Sequence, residues 1–107
     1  MSKVAFLVEH VEMAGSLPAA LLLSRLVYAY GHGRKGRFMR NDSEWRAETG
    51  LTAKQVRRAR QHLSDRGLVR TKIESFQGKK SVRYLLDWDR YVGGLRTILD
   101  RDGIASG

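Results

Sequence analysis

Between Lys54 and Gln61 the chain places Lys54, Gln55, Arg57, Arg58, Arg60 and Gln61. Arginine and glutamine make paired hydrogen bonds to the edges of guanine and adenine, and lysine and arginine neutralise phosphates. A solvated helix face usually mixes both signs, because like charges three or four residues apart repel. Here Asp65 is the single acid from Ala53 to Gly67. The missing counter-charge is therefore expected on another molecule.

The imbalance reaches beyond this run. Residues 53–83 hold ten lysines and arginines against two acids, Asp65 and Glu74, and so carry eight of the nine net positive charges of the 107-residue chain. Such a one-sided field attracts a polyanion, and nucleic acid is the commonest one in a cytosol. A membrane surface fits less well: no basic stretch has an opposing Trp, Phe and Leu face, and no apolar run approaches the roughly 18 residues that span a bilayer. The start MSKVAFLVEH has no small-residue cleavage site, and with no cysteine the expectation is a cytoplasmic protein without disulfides.

Catalysis and cofactor chemistry find little support. No cysteine is present to act as nucleophile or zinc ligand, His10, His32 and His62 are scattered, and neither G-x-S-x-G nor H-E-x-x-H occurs. GHGRKG, residues 31–36, matches G-x-G-x-x-G. A dinucleotide site needs that run between a strand and a helix, whereas here it follows a helical pattern and leads to an extended piece. The reading is a basic loop, with Arg34 and Lys35 near phosphates. No enzyme, metal or cofactor is expected.

The elements that would position the cationic run can be read in order. A length of 107 residues allows one domain, and 42% hydrophobic with 29% charged residues is an ordinary globular balance rather than that of a disordered chain. KVAFLVEHVEM is ambiguous between a short strand, on the alternation of Val4, Phe6 and Val8, and a turn of helix. Residues 16–31 form a first clear helix, with Ser16 as cap, Pro18 in the first turn and Gly31 at its stop; Leu22, Leu23, Leu26, Val27 and Tyr30 make a buried stripe. An extended piece around residues 37–40 follows. A second helix opens at Asn41, which pairs with Glu44 in a variant capping box, turns Trp45 and Ala47 inward, and ends at Gly50. Thr52 and Gln55 form another capping signature, so a third helix begins after a three-residue turn. Val56, Ala59 and Leu63 share its inner side, leaving Lys54, Gln55, Arg57, Arg58 and Gln61 outside. The runs 68–76 and 81–87 around QGKK read as a hairpin, with Val69, Thr71, Ile73, Val82, Tyr84 and Leu86 on one face and Arg70, Lys72 and Arg83 on the other. A last helix, residues 88–101, carries Trp88, Tyr91, Val92, Leu95, Ile98 and Leu99 at helical intervals, weakened by Gly93 and Gly94. Both tryptophans are expected in the core.

This order makes the fold mainly α with a β-hairpin (α+β), the plan of a winged helix-turn-helix, in a single domain with core 16–87. From Ala20 to Leu86 the sequence resembles winged-helix domains encoded by phages and plasmids, notably N-terminal domains of replication initiators and replisome organisers, and more loosely small repressors. The resemblance is carried by ALLLSRL, by EWRAETGLTAKQVRRARQHLSDRGLV and by the following hairpin. Arg46 departs from it, standing where such motifs usually place a small residue. The resemblance implies a sequence-specific double-stranded DNA-binding protein, acting as a transcriptional regulator or a replication or maintenance factor. Its third helix would enter the major groove.

On that plan Lys54, Gln55, Arg58 and Gln61 would touch bases. Arg57 and Arg60, with Asn41 and Ser43 at the second helix start and Thr52 at the third, would meet the backbone, and Lys79 and Lys80 at the hairpin tip would reach the backbone or an adjacent minor groove. The N-terminal segment and the C-terminal helix could join two copies in a homodimer, since one recognition helix reads few bases, or could wrap the protein's own core. The alternative is a protein-interaction module that turns the basic face to an acidic partner; RNA binding is less favoured for want of exposed aromatic ladders.

Overall fold

The computed structural model describes residues 6–33 and 38–101. Among these described residues, five helices and one three-stranded antiparallel sheet follow in the order α1 (Leu7–Ala14), α2 (Leu17–Gly31), β1 (Phe38–Arg40), α3 (Asp42–Thr49), α4 (Ala53–Asp65), β2 (Val69–Phe76), β3 (Lys79–Leu86) and α5 (Trp88–Arg101). The sheet order is β1-β3-β2. The fold is thus α+β, with the helices the sequence predicts from residues 16, 41, 52 and 88.

Local signals explain most boundaries. Ser16 accepts from the Ala19 amide at the head of α2. Asn41 with Glu44 and Thr52 with Gln55 each form both halves of a capping box, satisfying amides that the first helical turn leaves without partners. Gly50 closes α3 at φ 75°, a left-handed conformation that costs a residue with a Cβ roughly 1–2 kcal/mol. The β2–β3 turn is only two residues, Gln77 and Gly78, both at positive φ, so Lys79 and Lys80 already belong to β3.

α2 is the central element of the core. Its Ala19, Leu22, Leu23, Leu26 and Ala29 join Val56, Ala59 and Leu63 of α4, Trp45 of α3, and Phe38, Val69 and Tyr84 of the sheet in one buried cluster. Trp45 and Tyr84 meet edge-on at 5.6 Å, with Phe38 beside both. α5 returns along α1, where Gly94 comes so near the Met13 side chain that an added Cβ would sit 3.0 Å from it. The glycines expected to weaken α5 therefore do not interrupt it, and one of them makes room for a neighbour.

One open reading is resolved and two expectations are corrected. The ambiguous N-terminal run is a helix from Leu7: its buried positions are His10 and Ala14, so one inward residue is polar and the apolar spacing conceals the period. Val8, read as part of an alternation, is 77% exposed, and Val4 lies outside the described residues. Ala47 is exposed, because the position one turn beyond Trp45 is Thr49, whose hydroxyl donates to the Trp45 carbonyl oxygen at 2.6 Å. Ile73 stands opposite Val82 on the face that carries Tyr84, as expected, yet it is 71% exposed, because there the ribbon projects past the helices that cover Val69 and Tyr84.

Candidate nucleic-acid interface

α4 separates cleanly into two sides. Val56, Ala59 and Leu63 are buried, while Lys54, Gln55, Arg57, Arg58 and Gln61 are all exposed. The short link Gly50–Thr52 sets α4 against α3, and Ser43, at the start of α3, is exposed beside it. Lys79 and Lys80 are exposed near the hairpin turn. Arg34 and Lys35 lie outside the described residues.

The acids of the molecule sort the cations into two groups. Glu48 takes Arg40 at 3.0 Å and Arg25 at 3.7 Å, Asp42 takes Arg60 at 3.0 Å, Glu74 takes Arg83 at 2.8 Å, and Glu12 takes Arg101 at 2.8 Å. Among the described residues Arg46, Lys54, Arg57, Arg58, Lys79 and Lys80 have no such carboxylate partner. Arg66, Arg70, Lys72, Arg90 and Arg96 likewise have none among the described residues, so most of the uncompensated charge there lies along α3, α4 and the hairpin, with Arg90 and Arg96 on α5.

Arg60 differs from its neighbours. It is partly buried, and its Nη1 donates both to Asp42 Oδ1 at 3.0 Å and to the Tyr84 hydroxyl at 2.9 Å; that hydroxyl also accepts from Trp45 Nε1 at 3.0 Å. Burial works against its charge, but the hydrogen bonds to Tyr84 and Asp42 outweigh burial and hold its pKa above the ordinary arginine value. Burial likewise raises the Tyr84 pKa against the opposing hydrogen bonds from Arg60 and Trp45. This cluster joins α3, α4 and β3, and so fixes the angle at which the cationic side is presented.

The polar members carry internal tasks as well. Gln55 Oε1 accepts from the Thr52 amide at 2.9 Å, Asn41 Oδ1 accepts from the Glu44 amide at 2.8 Å, and Gln61 Nε2 donates to Asp65 Oδ1 at 2.7 Å. A base contact by Gln55 or Gln61 would use the remaining donors or exchange these bonds. Sequence reasoning missed Asp42 and Tyr84 as the residues that hold Arg60; the signal available was only the expected inward face of Tyr84.

A second polar cluster lies away from this side. Ser24 donates its one hydroxyl proton to the Ala20 carbonyl oxygen at 2.8 Å, so its oxygen accepts from His10 Nδ1–H at 2.6 Å. Nε2 of His10 is thereby left bare and accepts from the Tyr91 hydroxyl at 2.8 Å. The three residues tie α1 and α5 to α2. His62 and His32 are engaged elsewhere, with Ser16 and with the Tyr28 carbonyl oxygen.

Among the described residues no group of three or more His, Cys, Asp or Glu is gathered to hold a metal ion, and no single helix is long and apolar enough to cross a membrane. Compared with known proteins, the chain matches no family model, no curated protein and no solved structure.

Proposed function

We propose that the protein binds double-stranded DNA as a winged helix-turn-helix, with α4 in the major groove and the β2–β3 hairpin against the backbone. The observation that carries this reading is the division of α4: an apolar side spent on the core, and an outer side whose cations have no carboxylate partner in the described chain. The order α2, β1, α3, turn, α4, hairpin and the sheet order β1-β3-β2 support it, since they are what that fold requires. Lys54, Arg58 and the free donors of Gln55 and Gln61 read bases. Arg57, Asn41, Ser43, Thr52, Lys79 and Lys80 position the backbone, and Arg60 acts chiefly by holding the angle of α4.

The likeness to phage- and plasmid-encoded domains supports a regulator or a replication or maintenance factor, roles that use the same contacts at different sites. The protein has no catalytic step in this reading. Replacing Arg57 and Arg58 together by alanine is expected to abolish binding to duplexes selected from a random pool, measured by fluorescence anisotropy. Retained affinity would favour an acidic protein as the partner of the basic side.

A further inference from the structure

We propose that Arg46 is an additional DNA contact that seats one backbone phosphate in the concavity between α3 and the turn leading into α4. The inference rests on the DNA-binding reading above and extends it to a residue that departs from the pattern of the domains the sequence resembles.

The concavity has a volume of about 350 Å³ and is lined by Ser43, Arg46, Ala47, Gly50, Leu51 and Thr52. Ser43, Arg46 and Ala47 fall at i, i+3 and i+4, on one exposed side of α3. Two of these are small, and a Cβ built on Gly50 would meet nothing within 4 Å, so the floor is open to an approaching group.

The charges of α3 make Arg46 unusual. The helix has three acids near it, Asp42, Glu44 and Glu48, and each is already engaged: Asp42 by Arg60, Glu48 by Arg40 and Arg25, and Glu44 by the Asn41 amide in the capping box. Arg46 is exposed and has no carboxylate partner among the described residues. A guanidinium facing a recess, with the nearby carboxylates taken, matches the geometry of a phosphate.

The hydroxyls complete the site. Thr52 Oγ1 accepts from the Gln55 amide at 3.1 Å, which leaves the hydroxyl proton to donate outward. Ser43 lines the same recess. An arginine and two hydroxyl donors around one opening suit the non-bridging oxygens of a phosphodiester, and the opening adjoins the first turn of α4, where the DNA backbone must pass if that helix lies in the groove.

The test is a salt titration of duplex binding with Arg46→Ala and Arg46→Lys, using one mixed-sequence duplex and one duplex selected by the parent protein. Arg46→Ala is expected to weaken both equally and to make the slope of log affinity against log salt less negative by about 0.9, so that its deficit shrinks about threefold when salt rises fourfold. Arg46→Lys should restore the slope, and circular dichroism melting should be unchanged in both. If the parent shows a steep slope and Arg46→Ala keeps it along with full affinity, this inference is overturned and DNA binding stands. If the parent shows no salt dependence, the DNA reading itself falls and the inference with it.

Discussion

Arg58 and Arg60 stand two positions apart on α4 and differ in everything that decides their roles. Arg58 is exposed and has no carboxylate partner among the described residues, so Arg58→Ala is expected to leave stability within about 0.5 kcal/mol and to weaken selected duplexes by about 1–3 kcal/mol in binding, read by urea denaturation and anisotropy. Arg60 is joined to Asp42 and Tyr84. The hydroxyl that it shares with Trp45 makes Tyr84→Phe the sharper probe, because the fully buried Trp45 Nε1–H would lose its acceptor at a cost of about 1–3 kcal/mol. A Tyr84→Phe protein that unfolds at the parent's urea midpoint would contradict the bracing role. His10 gives a prediction in pH. Burial lowers its pKa from 6.5, with Glu9 opposing weakly, so the neutral form is the one the fold accommodates. The stability this contributes is whole above pH 6.5 and falls as pH drops towards the depressed folded value. Thermal midpoints between pH 7.5 and 5 should therefore decline more steeply for the parent than for His10→Gln, and parallel profiles would refute the assignment. Tyr91 limits the alkaline side: burial and Glu9 push its pKa up to about 12, so its contribution is whole below pH 10 and is lost as pH rises from there through about 12.

At the scale of elements, the turn and the hairpin set what α4 can reach. Gly50→Ala places a Cβ at φ 75° with open space around it, so its cost is backbone strain alone, about 1–2 kcal/mol by thermal denaturation. A cost much above that would mean the turn is packed in a way the structure does not show. Lys79 and Lys80, near the hairpin turn, should act on phosphates: replacing both by alanine is expected to lower affinity equally on all duplexes and to remove up to about 1.8 from the salt slope. Much of this was legible in the sequence. The capping pairs Asn41–Glu44 and Thr52–Gln55, the inner side of α4 and the two faces of the hairpin all rest on short-range chemistry that residue types announce, whereas the hairpin turn is two residues shorter than QGKK suggested. What escaped was long-range. His10 hid the period of α1 because its polarity is satisfied only by Ser24 and Tyr91, the latter 81 positions away. Arg60 looked like its neighbours because its partners lie on α3 and β3. Ala47 was assigned by composition in a helix of two turns, too short for spacing to decide.

The molecule as a whole puts its core and its charge on different surfaces. α2 is covered by α4 on one side and α1 on another, α5 packs along α1, and the extended hairpin contributes to a body of 52 × 29 × 24 Å. The apolar residues of α1 and α5, which could join two copies, are partly spent within the chain: Ala14, Tyr91 and Ile98 are buried, whereas Val8 of α1, with Phe6 just before it and Leu17 at the start of α2, remains exposed. In the proposed complex the cations of α3, α4 and the hairpin that lack carboxylate partners are neutralised together by a duplex. The most direct measurement is the parent protein's affinity for duplex DNA as a function of salt. With about six phosphates engaged, the expected slope of log affinity against log salt is near −5, at about −0.9 per phosphate. A slope near zero would contradict it.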